Sequence, residues 1–255
     1  MATELSVRHG GEGDPILLLL HGLGATGEVW RGLEARLPEL WPGSWLVPDL
    51  PGHGRSAPAR EYSFGTLAAE LAGLVPPGRP VAVLGHSLGG VLALTLASGW
   101  FGVAVVGACG LGIKVRWTAD DLSKAAAVAA RPAKVLPTRD EAAERWLRMS
   151  GLAGLWTPEV VDAGIAETGG GWRVTVDQRA FGVGAPDLPG LLAAARAEVL
   201  LAAGENDPMC PAEHLRSLRV DPVILPALGH NAHVESPAAL APLLRRLHAP
   251  AAAHA

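Results

Sequence analysis

Apolar residues in this chain gather in short unbroken runs of a kind that suits strands buried on both faces of a sheet. Ile16 to Leu20, Trp45 to Asp49, Val81 to Leu84, Val103 to Cys109, Glu198 to Gly204 and Pro222 to Leu225 are the predicted strands. The first follows the turn signal Gly13-Asp14-Pro15. Amphipathic stretches alternate with these runs, at Val29–Leu37, Phe64–Leu74 and the Ala/Leu-rich segment after Ser87. Strand and helix in alternation predict an α/β fold with a mostly parallel central sheet. From Ile113 to about Ala180 the alternation stops, and Pro132, Pro137 and Pro158 break helical Ala/Glu/Arg stretches ahead of Gly169-Gly170-Gly171 and Trp172.

The central run carries candidate chemistry. Val81–Leu84 leads into Gly85-His86-Ser87-Leu88-Gly89, a G-x-S-x-G motif between a strand and a helix. In that context the motif is a nucleophile elbow, in which a strained turn lifts the serine hydroxyl clear of the backbone. Leu88 opens the helix, so its N–H lacks an intrahelical acceptor and faces a developing oxyanion. A competing signal lies upstream. Gly22, Gly24 and Gly27 spell G-x-G-x-x-G after a strand, with Asp49 further on, which matches a dinucleotide fingerprint. That reading leaves His21-Gly22 and the downstream elbow unexplained, so no cofactor is expected.

Three segments, His21-Gly22-Leu23-Gly24, Asp49-Leu50-Pro51-Gly52-His53-Gly54-Arg55-Ser56 and Gly85-His86-Ser87-Leu88-Gly89-Gly90, together resemble the α/β-hydrolase fold superfamily in order and spacing. The resemblance implies an α/β-hydrolase core over residues 1–112 and 181–255, with a helical cap insertion at 113–180. It implies Asp207 as the acid, in G-x-x-D-x-x-x-P ending at Pro211, and His230 as the base, in G-H-x4-E-x-P ending at Pro237. Ser87, Asp207 and His230 then stand in the Ser–acid–His order of that fold, and the backbone N–H groups of Leu23 and Leu88 form the oxyanion hole. Asp49 and His53 read as loop organisers and His21 as a brace for the oxyanion loop. Glu205 is a weaker competitor to Asp207. His86, Trp117, Trp146 and Trp156 are candidate substrate contacts, with Trp172 completing the cap's share of the chain's 8 tryptophans. His230, His233 and Glu235 lack the spacing of a metal site, so no metal is expected.

A serine at the elbow, in place of aspartate, disfavours the branches of that superfamily that form alkyl-enzyme esters. The first expectation is a carboxylic ester hydrolase for small to medium, largely apolar acyl substrates. A second is a lyase, because Gly229-His230-Asn231-Ala232-His233-Val234-Glu235 resembles the menaquinone-biosynthesis synthase of this fold; His86 and Val91 depart from that enzyme's pattern. Thioester-, lactone- or C–C-cleaving enzymes share the same elbow, and a ligand receptor on this fold is a third class. Composition adds limits. With 49% apolar residues and a net charge of −4, the chain has enough core for one large domain and shows no basic face for nucleic acid or an anionic membrane. Arg245 and Arg246 read as the solvated side of a last helix. Two distant cysteines, Cys109 and Cys210, suit a reducing compartment. Without a signal-like start or a run long enough to span a bilayer, a cytoplasmic location is expected. The expected partner is a small-molecule ester or related acyl substrate; oligomeric state is not legible.

Overall fold

The computed structural model describes residues 3–248. Nine strands form in chain order: β1 (Val7–Gly10), β2 (Ile16–Leu20), β3 (Trp45–Pro48), β4 (Pro80–His86), β5 (Ala104–Leu111), β6 (Ile165–Thr168), β7 (Gly171–Val174), β8 (Glu198–Gly204) and β9 (Val223–Leu225). The helices are α1 (Arg31–Glu34), α2 (Leu37–Leu40), α3 (Phe64–Ala72), α4 (Leu88–Ala97), α5 (Ala119–Ala129), α6 (Arg139–Met149), α7 (Leu188–Ala194), α8 (Ala212–Arg216), α9 (Ala232–Glu235) and α10 (Ala241–His248).

Seven strands make one sheet in the order β1-β3-β2-β4-β5-β8-β9. Only β1 runs antiparallel, pairing Val7 with Pro48 and Gly10 with Trp45. Successive residues on the inner strands point to opposite faces, and both faces are covered. Leu17, Leu19, Ala82, Leu84, Cys109 and Leu200 pack with Trp30, Leu33, Leu37 and Leu243 on one side. Ile16, Leu18, Leu20, Val81 and Val83 pack with Leu67, Leu71, Leu92 and Leu96 on the other. That double burial is why these strands read as continuous apolar runs.

The structure departs from the sequence reading in three places. β1 was not foreseen, being short and only half-buried at a sheet edge. The amphipathic stretch Val29–Leu37 is broken into a 3-10 turn (Gly27–Trp30) followed by α1 and α2, with Pro38 inside the first turn of α2. The segment over residues 113–180 holds α5 and α6 as expected from its helical stretches, but also the antiparallel hairpin β6–β7. Gly171 closes that hairpin at φ +137°, a value suited to glycine alone, with the Leu136 carbonyl where a Cβ would stand. α5 is closed by a capping box between Thr118 and Asp121. Among the polar contacts that hold this segment to the core are two made by Glu28 and Tyr62. Buried Glu28 accepts the Ala163 N–H at 3.1 Å, and Tyr62 donates to Asp177 at 2.9 Å.

Candidate active site

The site gathers where the strands end, at the C-terminal edge of the sheet. Ser87 fills the single position between β4 and α4, at φ 50° and ψ −113°. A β-carbon at positive φ is strained, and the surroundings enforce it. A Cβ at Gly85 would lie 2.0 Å from the Gly89 carbonyl oxygen, and one at Gly89 would lie 2.3 Å from that of Leu20. Glycine at both positions therefore lets α4 start directly against the ends of β4 and β2. The Ser87 side chain makes no capping bond to α4, so its hydroxyl is not engaged by the helix it precedes. The first turn of α4 presents the Leu88 N–H without an i−4 acceptor. The loop after β2 lies alongside: a Cβ on Gly22 would be 3.4 Å from Ser87 Cβ and 2.9 Å from His86 Nδ1. Leu23 follows in that loop.

Asp207 stands three residues past β8 and is 3% exposed. Its Oδ1 accepts the N–H groups of Met209 at 2.8 Å and Cys210 at 3.1 Å. Its Oδ2 lies 2.9 Å from His230 Nδ1. A carboxylate can only accept, so Nδ1 carries the proton and His230 Nε2 keeps a lone pair. Glu235 Oε2 accepts the Gly229 N–H at 2.8 Å, which fixes the loop that presents His230 and gives the G-H-x4-E-x-P spacing its physical reason. Glu205 is spent on the Ala227 N–H at 2.8 Å and stands aside from His230.

His86, the neighbour of Ser87 in the chain, packs against His230. The rings of His86 and His230 are 4.6 Å apart, and His86 Nε2 lies 2.9 Å from the His230 carbonyl oxygen. That carbonyl accepts, so His86 carries its proton on Nε2 and turns a bare Nδ1 toward Gly22. No hydrogen bond joins the Ser87 hydroxyl to His230 among the described residues. Gly112, at the end of β5, is a participant that sequence reading missed. A Cβ there would lie 3.3 Å from Asp207 Oδ2, 3.3 Å from His86 Nε2 and 3.4 Å from His230 Cε1. The signal was present as a glycine directly after a buried strand.

Around this centre the imidazoles are sealed and neutral. His21 Nε2 accepts the Leu50 N–H at 2.8 Å and its Nδ1 donates to the Gly22 carbonyl at 2.8 Å, bracing the loop that holds Leu23. His53 lies against the Pro51 carbonyl at 3.1 Å and edge-on to His21. Asp49 accepts the N–H groups of Gly27 at 2.7 Å and Arg55 at 2.9 Å. His233 stacks between Trp30 at 4.5 Å and His86 at 4.3 Å, with neither ring nitrogen hydrogen-bonded. Burial pushes His53 down to about 4 and His233 down to about 3. It holds His21 and His86 well below the usual imidazole range, and their histidine neighbours add repulsion.

The tryptophans are spread differently from the sequence expectation. Trp146 is wholly buried in the insertion's own core, 6.0 Å from Trp156, and has no face to offer a substrate as it stands. Trp156 lines a separate cavity with Glu28, Arg31 and Asp162. Trp117 donates to the Lys114 carbonyl and sits under the Lys114 ammonium. Beside the loop carrying Leu23 lie the end of α6 and Phe181, the first residue after the 113–180 segment. Asn231, next to His230, donates to the Gly151 carbonyl at 2.9 Å. A Cβ on Gly24 would be 3.2 Å from the Met149 carbonyl oxygen and 3.8 Å from Phe181 Cζ. Among the described residues no helix is long and apolar enough to cross a membrane.

Comparison with known proteins agrees with this architecture. Over 91 residues the chain is 45% identical to the magnesium-chelatase 30 kDa subunit of Rhodobacter capsulatus, covering 32% of this chain and 30% of that one. It is 38% identical over 101 residues to the lipase LipV of Mycobacterium tuberculosis, covering 38% of each. It is 42% identical over 96 residues to a pimeloyl-[acyl-carrier protein] methyl ester esterase of Aeromonas hydrophila, covering 37% of this chain and 36% of that one. The matched stretch thus spans about a third of these relatives' length. The thioesterase domain from the curacin biosynthetic pathway superposes with a TM-score of 0.74 at 21% identity, over 95% of both chains. The E-2-(acetamidomethylene)succinate hydrolase superposes at 0.76 and 22% identity, over 95% of this chain and 94% of that one. The profile of the Alpha/beta hydrolase family matches residues 17–243, and the chain belongs to that family.

Proposed function

We propose that this chain is a serine hydrolase of carboxylic esters that works through an acyl-Ser87 intermediate. The observation that carries the reading is Ser87 at positive φ between strand and helix, beside a His230–Asp207 pair 2.9 Å apart. His230 Nε2 takes the proton as Ser87 Oγ bonds to the ester carbonyl carbon. The Leu23 and Leu88 N–H groups receive the oxyanion, each such donor lowering the barrier by about 3–4 kcal/mol. Collapse breaks the bond to the leaving alcohol, and His230 returns the proton to that oxygen. Water then repeats the sequence on the acyl-enzyme and frees the acid. Asp207 holds the ring in the tautomer that leaves Nε2 basic. Esterase and lipase relatives support the substrate class, and the Phe181 ring beside Gly24, in the loop carrying Leu23, suits an acyl chain.

A panel of p-nitrophenyl esters of increasing acyl length tests this. Saturable turnover that falls by several orders of magnitude in Ser87→Ala, on the order of 10⁶ where triads have been dissected, is expected. Trivial turnover across the panel would favour a lyase or a ligand receptor. Near-normal activity in the alanine variant would remove Ser87 from its role.

A further inference from the structure

A cavity of about 260 Å³ is lined by Val128, Arg131, Arg145, Arg148, Met149, Gln178 and Phe181. Two of its lining residues also adjoin the loop carrying Leu23: the Met149 carbonyl oxygen and Phe181 Cζ lie 3.2 and 3.8 Å from where a Cβ on Gly24 would stand. The lining holds three guanidinium groups and no carboxylate, in a chain whose net charge is −4. Of the three, Arg148 has an ion-pair partner among the described residues, Glu144 at 3.5 Å on the next turn of α6. Arg131 and Arg145 have none among those residues.

Surface arginines are ordinarily solvated, but two features separate this group from a solvated face. Arg145 Nε is shut away from solvent with no hydrogen-bond partner. Gln178, which is 6% exposed, lines the cavity while its Nε2 lacks a partner. Buried donors without acceptors cost stability and call for an acceptor that arrives with a ligand. Planar guanidinium forks match a carboxylate or phosphate bidentately.

We infer that this cavity is an anion subsite, and that the substrate carries a carboxylate or phosphate at the end of its acyl group remote from the scissile ester. The inference deepens the esterase reading and rests on it for the position of the reacting end. The acyl chain crosses Met149 and Phe181, and its anionic end is received by Arg145, Arg131 and Gln178.

The test compares a p-nitrophenyl monoester of adipate with the neutral p-nitrophenyl hexanoate. The wild-type protein is expected to favour the anionic ester by tenfold or more in kcat/KM. Arg145→Gln should cut that preference at least tenfold, with partial recovery in Arg145→Lys. A ratio that does not move in Arg145→Gln overturns the inference. The second arm does not need turnover. Adipate or inorganic phosphate, added separately to the Ser87→Ala protein, should raise its Tm, and the rise should vanish when Arg145→Gln is added. Protection by adipate supports a carboxylate ligand and protection by phosphate a phosphate ligand; protection by neither overturns the subsite. If Ser87→Ala keeps full esterase activity while adipate still protects through Arg145, the nucleophile reading fails and the anion subsite stands. Arg145→Met should leave Tm equal or higher, because it removes a buried donor without a partner. A clear fall in Tm would instead mark Arg145 as structural and overturn the assignment.

Discussion

Acidification should unfold this protein over a narrow range, because four imidazoles are locked in the neutral form. His21, His53, His86 and His233 are 0%, 1%, 3% and 0% exposed. Burial keeps each below its ordinary value near 6.5, with His53 near 4 and His233 near 3. In the unfolded chain each titrates at about 6.5. Below that pH the unfolded state binds more protons, so the stabilisation is complete above 6.5 and drains away as pH falls toward the folded values. At about pH 5.5 each histidine contributes about 0.9 proton, and the four together give a slope of about 5 kcal/mol per pH unit. Between about pH 7 and about pH 5.5 the loss is about 1.2 kcal/mol per ring and about 5 kcal/mol in all. That equals the lower end of the usual folding stability of about 5–15 kcal/mol. Urea unfolding followed by far-UV circular dichroism at half-unit steps of pH measures the slope directly. His233→Phe keeps the ring stack with Trp30 and should lower the proton uptake by about one quarter. It should also raise stability at neutral pH, since two unsatisfied buried nitrogens go. Total uptake below one proton near pH 5.5, or an unchanged slope in His233→Phe, would refute the reasoning.

Other variants probe the site piece by piece. Asp207→Asn retains an oxygen for the Met209 and Cys210 N–H groups but turns an NH₂ toward His230 Nδ1, imposing the wrong tautomer; esterase kcat should fall about 10⁴-fold, or about 5.5 kcal/mol, with Tm nearly unchanged. A loss under tenfold would sink the role given to Asp207. Gly112→Ala forces a side chain into φ +65°, at about 1–2 kcal/mol of strain, and crowds Asp207, His86 and His230, so turnover should drop more than stability does. Asp49→Ala orphans the Gly27 and Arg55 N–H groups and should cost about 3–5 kcal/mol in urea unfolding; a change below about 1 kcal/mol would show that the loop closes without it.

Much of this was legible because double-sided burial writes itself into sequence. Short apolar runs bounded by turn signals suit buried strands, and the six such runs all became strands. The strand–turn–helix at Ser87 was equally plain, since a serine at positive φ between strand and helix needs glycine where the two touch, at Gly85 and Gly89. Less could be read where contacts join segments remote in sequence. Nothing local marks Val7–Gly10 as an edge strand, because its partner lies beyond Trp45. Gly112 owes its role to three side chains from other strand ends. Trp146 looked available as an aromatic, but whether an aromatic faces a ligand or its own core depends on packing that periodicity does not encode. The arginines of α6 read singly as solvated charge, and only the fold shows them sharing a wall with Phe181.

The bond from Asn231 to the end of α6 has a mechanical consequence. Asn231, beside His230, is thereby tied to the segment that leaves a helix bearing two of the cavity's arginines, and the Met149 carbonyl at that helix's end packs on Gly24 in the loop carrying Leu23. A ligand that pulls on α6 should therefore shift the loops of His230 and Leu23 together. Discrimination among substrates should then be written in kcat as much as in KM.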